Sequence, residues 1–411
     1  MSNNKQKKRT GDMGRNHFVF YFFYTLFTIF VRPLLKIKFK RKIKRLEKPA
    51  IVLCNHGSFT DFFYAGIILR KDNPRYITAR LYFYNKFAEK ILRNVGCFPK
   101  SMFTSDIENA KTCVKIINNG DVLVMMPEAR LSTAGKFEDI QDATLKFIRK
   151  MNVNVYTLKL GGDYFAYPKW ANGLRIRSLV ECDLDVLFKA GEPMTLSQEE
   201  FDEKVCSKLY YNDFEWLEKH PKVQYKSKDL AEGLENILNV CPKCNKRLTI
   251  QTNGRKVYCT NCDFSVKMDN RYKFNENPYF ENFQQWYDYQ VEITKNEIEK
   301  GDYKLESKVQ LMHSAKKRNH QLRLAGEGIC TLDESGLRYV GTDDGKQIDK
   351  FFPLDTIYRL LFGAGEDFEI YEGSEIYYFV PEDRRSCVMW YTASILLKDF
   401  HDSKKRVKDG K

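Results

Sequence analysis

Between Lys48 and Gly191, short apolar runs alternate with segments of helical period. That alternation restricts the fold more than any other feature of the chain. Ala50–Cys54, 121–126, 153–160 and 184–188 read as strands, and strands spaced by helices call for an α/β sheet, here a mixed sheet covered by helices. Ser105-x-x-Glu108 has the form of a capping box for a helix ending at Asn119-Gly120. Ser197-x-x-Glu200 opens another helix, expected to continue to Lys219. His220-Pro221 and the polar stretch 222–229 mark the end of this domain, which is placed at 48–225.

The chemistry sits where the first strand gives way to a helix. Asn55-His56-Gly57-Ser58-Phe59-Thr60-Asp61 puts an imidazole and a carboxylate five residues apart. A carboxylate in the first helical turn can hold the imidazole in one tautomer. The helix N-terminus favours negative charge, so Asp61 is expected to stay ionised. Such a pair suits removal of a proton from a hydroxyl that then attacks a carbonyl. Three further pieces follow in order: Thr78-Ala79-Arg80, Gly96-Cys97-Phe98-Pro99-Lys100, and Pro127-Glu128-Ala129-Arg130-Leu131-Ser132 at the end of a strand.

Charge is distributed unevenly. The chain of 411 residues carries a net +14, and residues 1–50, with 14 Lys/Arg against 2 Asp/Glu, account for +12 of it. Between two basic clusters lies the aromatic block 18–31, a composition that suits a lipid surface better than nucleic acid. As a helix the 14-residue block spans about 21 Å, short of a hydrocarbon core of about 30 Å. Residues 1–47 are therefore expected to form an N-terminal membrane-associated helix with basic flanks, lying on or re-entering the bilayer rather than crossing it squarely. The rest of the chain is nearly neutral, which leaves nucleic acid an unlikely partner.

Eleven cysteines include two C-x2-C pairs, Cys241/Cys244 and Cys259/Cys262, while several others sit in apolar runs as reduced thiols do. Four thiolates from two such knuckles suit one tetrahedral structural zinc, with Asn253-Gly254 turning the hairpin between them, so a small zinc ribbon is expected at 236–270. Residues 277–320 look helical and aromatic-rich. From Gly328 the period becomes two, at 329–332, 337–340, 351–354, 368–371 and 376–380, before a final helical run from Ser386 to His401. That layout resembles an α+β PH- or GRAM-like domain, so 277–411 is taken as a helical linker plus such a domain.

With these pieces in hand, residues 50–191 resemble the glycerophosphate acyltransferase superfamily, in particular its lysophosphatidic acid acyltransferase-like members. The resemblance rests on Asn-His-x4-Asp at 55–61, the Gly-x-Phe-x-basic segment at 96–100, and Pro-Glu-x-Arg at 127–130, with 155–161 a weak fourth block. It implies that His56 is the general base toward an acceptor hydroxyl, with Asp61 orienting it. It implies an acyl thioester donor, on coenzyme A or acyl carrier protein, so that no nucleophilic Ser or Cys is required; no G-x-S-x-G elbow occurs. Arg80, Lys100 and Arg130 would hold an acceptor phosphate, and Glu128 would support its loop or contact the glycerol hydroxyl. The expected activity is acylation of a lysophospholipid, 1-acylglycerol 3-phosphate first among them, at the cytoplasmic face of a membrane. Glycerol 3-phosphate or another lysolipid as acceptor, and a catalytically inactive membrane adaptor, are the alternatives.

The third block departs from the superfamily's usual Pro-Glu-Gly-Thr-Arg-Ser. Ala129 stands for the Gly, Arg130 comes one position early, and Leu131 occupies the usual Arg place. Lys100 replaces an Arg in the second block, losing bidentate geometry. These changes bear on the acceptor rather than on His56. Structural roles compete with the functional ones: Arg80 and Lys100 as surface charges, Arg130 as a partner of Glu128.

Overall fold

The computed structural model describes residues 17–30, 36–41, 43–83, 85–101, 106–175, 178–276, 278–314, 322–373 and 375–408. The chain forms two compact units, 1–167 with 176–221 and 168–175 with 222–411.

The first unit is built on a seven-stranded sheet. Its strands are β1 (Lys36–Arg41), β2 (Ala50–Cys54), β3 (Pro74–Ala79), β4 (Cys97–Lys100), β5 (Val122–Met125), β6 (Asn154–Gly161) and β7 (Leu179–Phe188). The spatial order is β1-β7-β6-β2-β5-β3-β4. β6, β2, β5, β3 and β4 run parallel; β7 is antiparallel to β6, and β1 is parallel to β7. The sheet is mixed, as expected. All five residues of β2 are buried, which is what a central strand covered on both faces requires of Ala-Ile-Val-Leu-Cys. Ile51, Leu53, Leu123, Met125 and Val155 form a core with Cys113, Ile116, Leu145, Ile148, Phe201 and Val205 from the covering helices.

Those helices are α2 (Asp61–Leu69), α3 (Lys86–Asn94), α4 (Ile107–Asn118), α5 (Asp142–Met151), α6 (Gln198–Leu209) and α7 (Asp213–Glu218), preceded by α1 (His17–Phe30). The capping box at Ser197 and Glu200 forms. Three expectations need correction. The cap of α4 is Asp106, whose side chain accepts from the Asn109 N–H; Ser105 lies outside the described residues. The helix from Ser197 stops at Leu209 and a second, α7, restarts behind an Asn212 cap that accepts from the N–H of Phe214 and Glu215. The basic run at 36–41 is not part of an arm but an edge strand. Ile37 and Phe39 alternate with lysines, and Lys38 and Lys40 reach Glu181 on β7 at 3.4 and 3.6 Å. The aromatic block does form a helix, α1, with Phe18, Tyr21, Phe22 and Ile29 exposed. No helix among the described residues is long and apolar enough to cross a membrane.

The second unit holds two antiparallel sheets. β8 (Ile250–Asn253), β9 (Lys256–Cys259), β10 (Ser265–Met268) and β11 (Phe274–Asn275) lie in the order β11-β10-β9-β8. Asn253 pairs with Lys256, so the turn is Gly254-Arg255, with the positive φ that it needs carried by the glycine. α8 (Phe283–Glu299) follows, and its Trp286, fully buried, donates to the Val240 carbonyl at 2.7 Å.

The larger sheet comprises β12 (Leu305–Ser314), β13 (Leu322–Asp333), β14 (Gly336–Asp343), β15 (Lys346–Pro353), β16 (Leu361–Phe362), β17 (Phe368–Glu372) and β18 (Glu375–Pro381), in the order β15-β14-β13-β12-β18-β17-β16. Helix α9 (Cys387–Lys408) closes the chain, its Trp390 stacked on Phe368 at 4.4 Å. Residues 305–314, expected to be helical, are the central strand β12. Alternating charged residues on its exposed side hid its period.

Candidate active site

The strands β6, β2, β5, β3 and β4 are parallel neighbours, so their C-terminal ends share one edge of the sheet. The loops leaving that edge carry Asp163, then His56 and Asp61, then Glu128 and Arg130, then Arg80, then Lys100 in register order. Open α/β sheets place their sites at this edge, because only there do loops from several strands converge.

His56 Nδ1 lies 2.8 Å from Asp61 Oδ2. The imidazole is about a quarter exposed and the carboxylate not at all. The Ser58 N–H donates to both Asp61 oxygens at 3.1 Å, closing the turn into α2 around the acid. With Asp61 ionised, Nδ1 carries the hydrogen and Nε2 is left as the basic atom. The expectation that the helix dipole keeps Asp61 ionised meets a stronger opposing effect. Burial pushes its carboxyl up to about 8, with hydrogen bonds from Asp163 and the Ser58 backbone acting the other way.

The loop bearing His56 is held on both sides. Asn55, completely buried, donates to the Leu160 carbonyl at 3.0 Å and accepts from the Leu160 N–H at 2.7 Å. On the other side Glu128 accepts from the His56 N–H at 3.1 Å and from the Glu138 N–H at 2.9 Å, while the Ser132 N–H donates to the His56 carbonyl at 2.9 Å. Glu128 therefore supports the loop, the first of the two roles expected of it. It is buried, and desolvation pushes its carboxyl up to about 8. Ala129 takes φ +59, the left-handed conformation that glycine supplies at least cost, which gives a physical reason for the Gly usual at this place.

The three cations separate into two groups. Arg130 is buried and its guanidinium is committed: Nε to Glu138 Oε2, Nη1 to the Glu128 carbonyl at 3.0 Å, Nη2 to Asp139 Oδ1 at 2.7 Å. Arg80 and Lys100 lie at the adjoining ends of β3 and β4, where Ala79 pairs with Lys100. Arg80 is nearly a third exposed and touches Ser101 Oγ at 2.9 Å and Asp106 Oδ2 at 3.4 Å. Lys100 is partly buried, and desolvation lowers its ammonium below the usual lysine range. The structure thus groups Arg80 with Lys100 and ties Arg130 into the fold.

Residues 35–161 match the Acyltransferase family model. The match takes in less than a third of the chain. The matched segment takes in β1 to β6 and every site residue from His56 to Arg130. Among solved structures, the chain is similar to the crystal structure of the 1-acyl-sn-glycerophosphate (LPA) acyltransferase PlsC from Thermotoga maritima. The two are 16% identical; the likeness covers 46% of this chain and 81% of that one, with a TM-score of 0.33. A score that low fixes no residue-level correspondence. No curated protein was found to match the chain.

Away from this domain, the Sγ atoms of Cys241, Cys244, Cys259 and Cys262 all lie within 4.8 Å of one another. The Cys241–Cys262 and Cys244–Cys259 separations are 3.7 and 3.8 Å. A tetrahedral zinc with bonds of about 2.3 Å needs sulfurs about 3.8 Å apart, so the donor set and its spacing fit that ion. The Thr249 hydroxyl and the N–H groups of Asn261 and Cys262 lower the Cys259 thiol against the effect of burial, while burial raises that of Cys241.

Two participants are not evident in the sequence. Tyr211 reaches Glu128 Oε2 at 3.5 Å from beyond α6. Asp163 follows β6 and comes beside Gly57, the residue after His56, because β6 pairs with β2. A carboxylate just past a strand end was its one signal.

Proposed function

We propose that this protein is a membrane-surface O-acyltransferase. It transfers a fatty acyl group from a thioester of coenzyme A or acyl carrier protein to a lysophospholipid, 1-acylglycerol 3-phosphate by preference, at the cytoplasmic face. The observation that carries this is the 2.8 Å contact between His56 Nδ1 and a fully buried Asp61, which leaves Nε2 as the base in an accessible loop. Nε2 takes the proton of the acceptor hydroxyl as its oxygen bonds to the thioester carbonyl carbon. The C–S bond then breaks, and the thiolate leaves with the proton held by the imidazolium. Asp61 stabilises that imidazolium, and base assistance of this kind is worth about 10²–10⁴ in rate.

Arg80 and Lys100, grouped one strand beyond Glu128, are the cations for an acceptor phosphate; Arg130, committed to Glu138 and Asp139, is not among them. Exposed apolar side chains support work at a lipid surface. Phe59 and Phe62 flank the turn that carries Asp61, and Tyr82 and Phe87 follow Arg80. Phe18, Tyr21, Phe22 and Ile29 of α1 add an aromatic face able to lie in an interface. In the second unit, the four cysteines would hold a structural zinc, and the seven-stranded sheet with its closing helix would act as a PH- or GRAM-like adaptor.

The test is purified protein with acyl-CoA and a panel of lysolipid acceptors, read by product mass. A mass gain of one acyl chain on a lysophospholipid is expected, lost in His56→Ala while sedimentation with anionic vesicles persists. Equal turnover in His56→Ala would end the proposal.

A further inference from the structure

Asp163 is completely buried, and neither carboxyl oxygen accepts from an N–H or a hydroxyl at hydrogen-bonding geometry. Only the N–H groups of its own residue and of Tyr164 approach it, and the latter donates to Asp213 Oδ2 at 2.9 Å. Its position is enforced: a Cβ on Gly57, next to His56, would sit 2.7 Å from Asp163 Oδ2. The polar group that does engage Asp163 is the carboxyl of Asp61, in a side-chain hydrogen bond. Two carboxyl groups cannot share such a bond without a proton between them.

The neighbours decide which of the two holds it. Asp61 accepts from His56 Nδ1 and twice from the Ser58 N–H, all interactions that favour a carboxylate. Asp163 is approached only by the N–H groups of its own residue and of Tyr164, neither of them at hydrogen-bonding geometry, so its carboxylate form is the less supported of the two. The titratable groups that interact with the pair are Glu128 from the β5 loop, Asp213 and Tyr211 from the entry to α7, Tyr64 on α2, and Cys54 and Cys182 on β2 and β7. These are acids or neutral groups. His56 apart, nothing among them offsets a second negative charge.

We propose that Asp163 carries a proton and donates it in a hydrogen bond to Asp61, which makes it a positioning residue for the base at His56. The row is then Nδ1–H of His56, the Asp61 carboxylate, and O–H of Asp163. Burial of Asp163 and the neighbouring negative charge of Asp61 raise its carboxyl well above the ordinary range, in keeping with that assignment. Asp163 touches no reacting atom. It offsets the desolvation of Asp61, so that the acid buried beneath the imidazole can remain an acceptor.

The inference rests on the acyltransferase reading for its kinetic consequence but not for its proton inventory, so the two are tested apart. Asn at this position still donates and is neutral, whereas Leu can do neither job. In Asp163→Asn, acyl transfer should stay within about threefold, and the acid limb of the kcat/KM profile should not move. In Asp163→Leu, kcat/KM should fall about 10- to 100-fold, as loss of a supporting hydrogen bond typically does. The acid limb should also move to higher pH, because an unsupported Asp61 binds its proton more tightly. If Asp163 were ionised, Asp163→Asn would shift that limb to lower pH; if it were a packing residue, neither variant would shift it. Either outcome overturns the proposal. Independently of turnover, infrared spectra at neutral pH should show, beside the band of protonated Glu128, a further protonated-carboxyl band that persists in His56→Ala and disappears in Asp163→Asn. Its presence in both variants, or absence from the unmodified protein, also refutes it.

Discussion

Arg130 separates two accounts of the loop after β5, and Arg130→Met tests them. Methionine keeps most of the volume of the arginine stem and removes the guanidinium. In the folded unit that guanidinium is about 4% exposed, and it faces Glu138, about 15% exposed, and Asp139, about 61% exposed. The exposed partner contributes little, since water screens it. The cost therefore comes from stranding Glu138 and leaving the Glu128 carbonyl without its donor. Removing one member of a buried pair costs about 3–5 kcal/mol, and the partial exposure of Glu138 argues for about 3. For a unit of this size each kcal/mol moves Tm by about 2–4 °C, so the transition of the first unit should fall by about 6–12 °C in calorimetry. Adding Glu138→Gln should recover part of the loss, because the stranded carboxylate is the larger share of it. At a temperature where both proteins are folded, KM for the acceptor should stay within about threefold of the unsubstituted protein. An unchanged Tm with a tenfold rise in that KM would show that Arg130 binds phosphate after all.

Ala129→Gly should stabilise the first unit: a left-handed non-glycine residue costs about 1–2 kcal/mol, of which glycine's extra chain entropy returns about 0.5–1, leaving a rise of about 0.5 kcal/mol in urea unfolding. A loss of stability would mean that this turn does not hold φ +59 in solution. The pH dependence follows from Glu128. Its folded pKa of about 8 lies above the ordinary 4.5, so the folded state keeps a proton that the unfolded chain releases, and stability falls as pH rises between those values. Glu128→Gln should flatten that slope by up to about 1.4 kcal/mol per pH unit, read from urea midpoints at pH 5, 6.5 and 8, with the buried Asp61–Asp163 pair supplying the slope that remains; parallel slopes would count against a buried, protonated Glu128. Metal analysis should return about one zinc per chain, lost in Cys241→Ser combined with Cys244→Ser together with the thermal transition of the ribbon; a metal-free protein with an intact ribbon would exclude the structural role.

What could be read from the sequence depended on whether the signal was local. Five consecutive apolar residues at Ala50–Cys54 have few homes other than a strand covered on both faces. His56 meets Asp61 because one turn separates them, so their contact follows from the backbone path alone. β1 is a local signal of a different kind: Lys-Ile-Lys-Phe-Lys has a period of two, but its lysines suit a basic arm equally well. The partners of Arg130 could not be read, because Glu138 and Asp139 return to it only through the fold of the loop. Asp163 is further still, since it reaches the site through the pairing of β6 with β2.

The ionisation of Asp61 shows why neighbours matter more than position. A helix N-terminus is worth about 0.3–1 kcal/mol to a carboxylate, less than one pKa unit. Burial moves this carboxyl from 3.8 to about 8, and so outweighs the dipole severalfold. A residue placed correctly at a helix start can thus have the opposite protonation tendency from the one its position implies. What keeps it an acceptor must then come from donors around it: the Ser58 backbone in its own loop and, as proposed above, the carboxyl of Asp163 beyond β6. In the proposed mechanism, strand order as much as the motif itself would make the His56–Asp61 pair usable as a base.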